Sequence, residues 1–259
     1  KSRELTAALQ GLQAIQDSLP LGAGRKIQQD IPVGVYNVVA DFGQSRGANT
    51  ATILPNDADH SRKYGRTILL RYNIMTHPDL FNDARKAFAT AVIPAQANDL
   101  TLEGPFARTL WHEVGHYLGV DRTADGADLN ESLSPWGSHY EEMKADLVSL
   151  FTAAHLNREG LMSDELLRSV YAGGILRVLQ TNRPRSEQPY QTMQLMQMNF
   201  FLEQGLLSFD ESTGRLTIHY DLYEAVAGKL LGEVLAIQAA GDSDRAAAYI
   251  EQYTGWTEE

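Results

Sequence analysis

The segment His112-Glu113-Val114-Gly115-His116 places two histidines four residues apart, with a glutamate directly after the first. An α-helix turns once every 3.6 residues, so positions four apart share a face and both imidazoles can reach the same ion. Apolar residues recur at the same interval along this stretch: Phe106, Leu110, Val114 and Leu118. The pattern predicts an amphipathic helix with one face in the core, which is a rigid platform for two metal ligands.

With seven histidines in 259 residues, such a motif arises by chance in roughly one chain in a hundred, so the motif alone does not establish a metal site. A tetrahedral zinc ion also needs a third protein ligand. Downstream, the stretch from Ser138 to His155 is also predicted to be helical. It carries Glu142 and Asp146, which lie four apart and therefore share a face. Glu142 can bind the ion, and Asp146 can accept a hydrogen bond that fixes the ring of a ligating histidine.

Two imidazoles and one carboxylate are the ligands of a catalytic zinc ion, which keeps its fourth position for water. We therefore predict one zinc ion held by His112, His116 and Glu142, although manganese, cobalt or nickel can occupy the same ligands. Glu113 is placed to act as the general base on the attacking water.

Three parts of the sequence resemble the dipeptidyl peptidase III family of zinc metallopeptidases, which are of the gluzincin type. They are Phe106 to Val120, Tyr140 to Asp146 and Val33 to Asp57. The resemblance extends, with gaps, from about residue 33 to about residue 205 and covers only the catalytic part of such an enzyme. It implies that Glu142 is the third zinc ligand, that Glu141 supports the site and that Asp146 is the acidic partner of a ligand histidine.

The chain departs from the family pattern in three ways. The family usually has one more residue in its motif, H-E-x-x-G-H, whereas the spacing here predicts ordinary helical geometry at the metal. A family helix that carries a histidine and an arginine corresponds to Tyr190 to Glu203, with Tyr190 and Gln194 at those places. The hydroxyl of Tyr190 can still stabilise a developing oxyanion. The second lobe, which measures off a dipeptide, is not matched, so dipeptidyl specificity is not implied.

Charge and composition narrow the class of partner. The formal charge is -11, which disfavours nucleic acid and anionic membranes. No apolar run approaches the roughly 18 residues of a membrane span, so a soluble protein is expected. Cysteine is absent, which excludes thiolate ligands and a cysteine nucleophile. The first residue is lysine, and two interpretations stay open: a periplasmic protein whose leader was removed, or a cytoplasmic one.

The predicted fold is α+β and mainly helical: a zincin-like catalytic domain with a small β-sheet and a helical C-terminal part. Strand-like patterns are Ile31 to Phe42, Ala51 to Leu54 and Arg66 to Ile74, and a hairpin is expected from Leu206 to His219. Helical patterns are Glu4 to Leu19, Asp79 to Ala95, Ser163 to Gln180, Tyr190 to Gln204, Tyr220 to Ala240 and Ser243 to Tyr253. We predict a single domain, 1–259, with sub-lobes 1–120 and 121–259 that flank the metal cleft.

The segment from Asp121 to Trp136 is predicted to be a solvated loop. Its acidic residues are Asp121, Asp125, Asp128 and Glu131. A calcium loop is the alternative, but the spacing and the central glycine of an EF-hand are poorly matched.

The predicted function is zinc-dependent hydrolysis of a peptide or a small acyl substrate, with Glu113 and Tyr190 as catalytic residues. Two alternatives stay open. The first is a zinc-binding protein without turnover, which four protein ligands around the ion would favour over three. The second is an amide or ester hydrolase with the same base but a substrate other than a peptide.

Overall fold

The computed structural model describes residues 6, 9–27, 31–39, 50–54, 63–179, 185 and 188–256. The α-helices in these ranges are α1 (Leu12–Ser18), α2 (Tyr72–Met75), α3 (Pro78–Ala91), α4 (Glu103–Gly115), α5 (Leu129–Ser132), α6 (Gly137–Arg158), α7 (Asp164–Val178), α8 (Pro189–Glu203), α9 (Tyr223–Ala240) and α10 (Ser243–Tyr253). The strands are β1 (Val33–Tyr36), β2 (Ala51–Leu54), β3 (Thr67–Arg71), β4 (Leu207–Asp210) and β5 (Arg215–Ile218). The prediction of a mainly helical α+β protein is confirmed.

The sheet is small and mixed. β3 lies at its centre, parallel to β1 and antiparallel to β2. Its side chains alternate, so that Ile68 and Leu70 are fully buried between half-buried neighbours. β4 and β5 form a separate antiparallel hairpin, with Leu207 opposite Ile218. β2, β3 and β5 follow the period-2 pattern of a sheet with one face in the core, whereas in β4 only Leu207 is buried.

Helix α6 is the centre of the helical body. Its 22 residues are buried on most sides, because α4, α7, α8 and α9 all pack against it. A helix surrounded by other helices needs apolar or hydrogen-bonded side chains around its whole circumference. Two of the polar residues that α6 buries, Lys144 and Asp146, therefore need partners, and they find them among the charged side chains around His112 and His116.

Several predicted elements are confirmed: β2, the β4–β5 hairpin, and α7, whose first turn is capped by the Ser163 hydroxyl accepting from Leu166 N. Several predicted boundaries were wrong. The strand predicted from Ile31 to Phe42 is β1, which ends at Tyr36, and residues 40–42 lie outside the described ones. The helix predicted from Asp79 to Ala95 ends at Ala91. The strand pattern predicted through Ile74 ends at Arg71, where the chain turns into the short helix α2. The N-terminal helix predicted from Glu4 to Leu19 is helical at Thr6 and from Leu12 to Ser18, with a turn at residues 9–11; residues 1–5, 7 and 8 lie outside the described ones.

The loop after α4 also contains structure that the sequence did not predict. Asp128 caps α5 by accepting hydrogen bonds from the backbone N–H groups of Asn130 and Glu131. Asp125 accepts a hydrogen bond from the hydroxyl of Thr123. Asp121 pairs instead with Arg25, at 3.4 Å. These three carboxylates therefore bond to separate partners rather than to one another's surroundings, as predicted for a solvated loop. Among the helices that the structure describes, none is long and apolar enough to cross a membrane.

Candidate metal centre

The two helices that carry the predicted ligands approach each other unusually closely. A Cβ built on Gly115 of α4 would lie 2.8 Å from both Cα and the carbonyl oxygen of Ala145 on α6. Real side chains do not tolerate this distance, so glycine at this position lets the two backbones touch. Helix α4 ends here, and His116 is its C-cap residue with helical φ and ψ. The motif thus lies in the last turn of α4, against the middle of α6.

Three side chains converge at this contact. His112 Nε2 lies 3.3 Å from Glu142 Oε2, and His116 Nε2 lies 4.0 Å from the same oxygen. Each residue offers one ligand atom, and the three atoms lie within 4.8 Å of one another. Zinc bonds of about 2.0–2.1 Å give a tetrahedron with edges of about 3.3–3.4 Å. The donor atoms are therefore spaced for one small cation, with little rearrangement.

The outer nitrogen of each imidazole is bonded to a carboxylate. His112 Nδ1 lies 2.6 Å from Asp146 Oδ1, and His116 Nδ1 lies 2.9 Å from Glu141 Oε1. A carboxylate there accepts the Nδ1 proton, which leaves the lone pair on Nε2 directed at the centre. Glu142 Oε2 is buried there and accepts no hydrogen bond in the described part of the chain. Two Nε2 atoms and one carboxylate oxygen facing one point fit a cation that displaces the imidazole proton, so these residues are suited to zinc.

Asp146 is held by charges on three sides. Besides His112, its carboxylate accepts from Arg108 Nη1 at 2.8 Å and from Arg177 Nε at 2.7 Å. Burial acts to raise the pKa of Asp146, but Arg177, Arg108 and His112 hold it well below the ordinary value. Burial likewise lowers the pKa of His112, but the charge of Asp146 outweighs it and raises that pKa to about 9. In the absence of a metal, His112 is therefore protonated at neutral pH.

Glu141 holds the second ligand histidine in a similar way. Lys144 Nζ donates to Glu141 Oε1 at 2.9 Å, and the Lys144 side chain is almost completely buried. Burial acts to raise the pKa of Glu141, but Lys144 and the hydrogen bond from His116 hold it below the ordinary value. Each ligand histidine thus has an ionised carboxylate behind it, and each carboxylate has its own buried cation.

Glu113, the predicted base, is half-buried beside the two ligand histidines and does not join the three converging donors. Burial raises its pKa, and the charge of Glu142 acts in the same direction, while His112 and His116 oppose the shift. The Glu113 carboxylate is therefore close enough to the three donors for their charges to act on it.

Tyr190, the predicted oxyanion donor, begins α8 on the other side of Glu142. Burial and the hydrogen bond between its hydroxyl and the Glu142 carboxylate both raise the pKa of Tyr190. Its ring packs under the guanidinium of Arg177, with 5.5 Å from Cζ to the ring centre. The residue is 47% exposed, so the phenol is at the rim of the centre rather than inside it.

Sequence reasoning missed three charged residues of this centre: Arg108, Arg177 and Lys144. Lys144 follows Glu141 by three residues in a helix, a spacing that brings side chains together, so this pair was detectable. Arg177 lies 31 residues from Asp146, and no local pattern predicts a contact across two helices.

The loop that follows His116 is held by the N-terminal part of the chain. The buried amide of Gln16 donates to Gly119 O at 3.0 Å and accepts from Gly119 N at 2.8 Å. Arg25 Nη1 also donates to Gly119 O, at 2.6 Å. We call Gln16, Arg25 and Gly119 the latch. It fixes the backbone three residues beyond the second ligand histidine.

Comparisons with known proteins agree with this architecture. No protein-family model matches the chain. Nudix hydrolase 3 of Arabidopsis thaliana is 26% identical over 251 residues, which are 93% of this chain and 32% of that protein. The structure of dipeptidyl-peptidase III from Corallococcus sp. strain EGB superposes with a TM-score of 0.88 at 23% identity, over 98% of this chain and 48% of the other. The structure of DPP III from Caldithrix abyssi superposes with a TM-score of 0.83 at 22% identity, over 99% of this chain and 50% of the other.

One of these proteins is named as a Nudix hydrolase and the other two as dipeptidyl-peptidase III. The chain spans about half the length of the two solved structures and 32% of the curated relative. The resemblance predicted from the motifs is confirmed at the level of the fold: over nearly its whole described length, this chain has the fold of dipeptidyl-peptidase III.

Proposed function

We propose that this chain carries the catalytic metal site of a zinc-dependent peptidase, with His112, His116 and Glu142 as the ligands. The observation that supports it best is the convergence of two Nε2 atoms and one carboxylate oxygen on one point, with both outer nitrogens bonded to carboxylates. Carboxylate–histidine pairs of this kind orient zinc ligands and raise their basicity.

Zinc in such a ligand set polarises an acyl carbonyl and lowers the pKa of a water molecule toward about 7. In this proposal, Glu113 takes the proton of the attacking water and passes it to the leaving amine. Burial raises the pKa of Glu113, which makes its carboxylate a stronger base than an exposed glutamate. The half-buried position excludes bulk water from the proton transfer without closing the cleft to substrate.

Tyr190 is proposed to donate a hydrogen bond to the oxyanion that develops on the substrate. Its hydroxyl already bonds with Glu142, and burial keeps it protonated by raising its pKa. A neutral phenol is a donor, whereas a phenolate would repel the oxyanion. This role requires the hydroxyl to exchange Glu142 for the substrate, and its partly exposed position permits that movement.

The number of ligands supports turnover over a purely structural metal. A structural zinc ion is usually closed by four protein ligands, whereas the group found among the described residues has three. A peptide substrate is supported by the likeness to two proteins named dipeptidyl-peptidase III. The division into sub-lobes 1–120 and 121–259 that flank the metal cleft stays a prediction.

The test combines metal analysis with cleavage. The purified protein is expected to contain one zinc per chain and to cleave a mixed peptide library, to lose cleavage with a chelator and to regain it with zinc. A chain that binds no metal contradicts the proposal. Zinc binding without hydrolysis of any peptide, amide or ester would favour a binding role. Hydrolysis confined to simple amides or esters would keep the site and change the substrate.

A further inference from the structure

Arg177 uses only part of its guanidinium within the protein. Its Nε donates to Asp146 Oδ2 at 2.7 Å, and no acceptor in the described part of the chain takes a hydrogen bond from either Nη group. Neither Nη belongs to the buried polar atoms without partners, so both reach solvent. The outer edge of the guanidinium, with its two parallel N–H groups, is therefore free to bind a ligand.

Arg108 and Lys144, the other two cations of the centre, cannot bind a ligand in this way. The side chain of Arg108 is 10% exposed and that of Lys144 is 3% exposed, whereas that of Arg177 is 25% exposed. Both of the former lie behind the carboxylates that they bind. Arg177 is thus the cation of this charged group that a substrate can meet.

The position of Arg177 favours a group beside the reacting carbonyl rather than the carbonyl itself. Its guanidinium packs on the ring of Tyr190, whose hydroxyl bonds with Glu142. No ion pair within 4.0 Å joins Arg177 to Glu142 in the described residues, unlike the two ligand histidines. Arg177 therefore borders the ligand set from outside.

We propose that Arg177 binds a carboxylate of the substrate, through its two Nη groups, at a position flanking the bond that is cleaved. Arginine suits this role because its planar fork matches the two oxygens of a carboxylate. The carboxylates of Glu113 and Glu142, whose charges act on one another at the same site, repel such a group, so Arg177 determines whether an anionic substrate is accepted. This inference rests on the proposed peptidase function.

The carboxylate can come from the C-terminus of a peptide or from an acidic side chain, and matched peptides distinguish these sources. One peptide sequence is prepared with a free C-terminus, as its C-terminal amide, and as amides with single Gln→Glu changes at each position. Wild-type protein is expected to cleave one carboxylate-bearing form with a kcat/KM about tenfold above that of its neutral counterpart, the scale of one charge-assisted pair at a partly exposed site. The form that is preferred identifies the source.

The decisive comparison is between Arg177→Gln and Arg108→Gln, since both arginines hold Asp146 but only Arg177 faces the cleft. Each protein's preference is a ratio of two substrates, so it is independent of how much zinc or total activity the variant retains. Arg177→Gln is expected to abolish the preference and Arg108→Gln to keep it. Arg177→Lys and Arg108→Lys replace these variants if either fails to fold, and the lysine at 177 is expected to keep only part of the preference.

Three results would overturn the inference: equal cleavage of all neutral and acidic forms by the wild type, a preference that survives in Arg177→Gln, or equal loss of preference in both arginine variants. The last result would mean that Arg177 acts through Asp146 alone. Calorimetric titration of the same peptides into Glu113→Gln protein, with and without Arg177→Gln, tests carboxylate binding separately from hydrolysis. If the wild type cleaves nothing, the proposed function fails, and this titration still decides the role of Arg177.

Discussion

Replacing Gly115 by alanine tests whether the close contact between α4 and α6 creates the metal centre. The new Cβ would lie 2.8 Å from Cα and O of Ala145, whereas ordinary contacts begin at 3.4 Å. Backbone atoms cannot rotate away, so the helices must separate locally by about 0.6 Å, the difference between these two distances. Overpacking of this kind costs about 1–3 kcal/mol of folding free energy.

The same displacement acts on the ligands, because α4 carries both histidines and α6 carries Glu142. Metal–ligand distances are held within about 0.2 Å of their ideal values, so a shift of this size distorts the ligand set. We expect zinc affinity to fall about 10- to 100-fold, as it does when the support of a ligand is lost. Competition with a fluorescent chelator measures the affinity, and urea denaturation of the zinc-free protein measures the stability.

Two glycines of the same chain provide matched controls. A Cβ on Gly104, at the start of α4, would overlap the backbone of Ser169 on α7, so Gly104→Ala should destabilise the fold while zinc affinity changes less. A Cβ on Gly228 of α9 meets only Phe151, at 3.5 Å, so Gly228→Ala should be neutral or stabilise by up to about 1 kcal/mol. Unchanged zinc affinity in Gly115→Ala, or an equal loss in Gly104→Ala, would refute the reasoning.

Three further predictions concern the charged residues. Glu113→Gln should keep zinc by mass spectrometry and lose turnover about 10²- to 10⁴-fold; unchanged turnover would remove Glu113 as the base. Asp146→Asn should weaken zinc binding about 10- to 100-fold and destabilise the fold by about 3–5 kcal/mol, because two arginines lose their buried partner; a near-neutral result in denaturation would contradict this. Since folding raises the pKa of His112 from 6.5 to about 9, its contribution to stability is complete below pH 6.5 and is lost as the pH rises through 9. This loss should appear in zinc-free but not zinc-loaded protein, whose imidazole is already neutral.

Local sequence patterns predicted the parts of the fold in which neighbours along the chain determine the structure. The alternation of β2, the turn between β4 and β5, and the serine cap of α7 all depend on contacts within a few residues. The helix after β3 was missed because Tyr72–Met75 has the composition of a strand, and the preference of these residues is overridden by their surroundings.

At the candidate site, helical spacing predicted that His112, His116 and Glu142 could come together, and they do; their role as metal ligands stays a prediction, and Glu141 was expected only from the family resemblance. The geometry between the helices could not be predicted from the sequence. The close approach at Gly115 depends on Ala145, which faces it from α6. Arg108 and Arg177 reach Asp146 from two different helices. Contacts between distant segments leave no periodic signal in a single sequence.

The latch has a consequence for shortened versions of this chain. A protein that began at β1 would lack Gln16 and Arg25, so the Gly119 N–H would lose its acceptor and the Gly119 carbonyl would lose two donors. Such unmet backbone groups are usually hydrated by local opening. Removal of residues 1–32 should therefore expose the turn after His116 to proteases and to hydrogen exchange, although this turn is far from the cut in sequence.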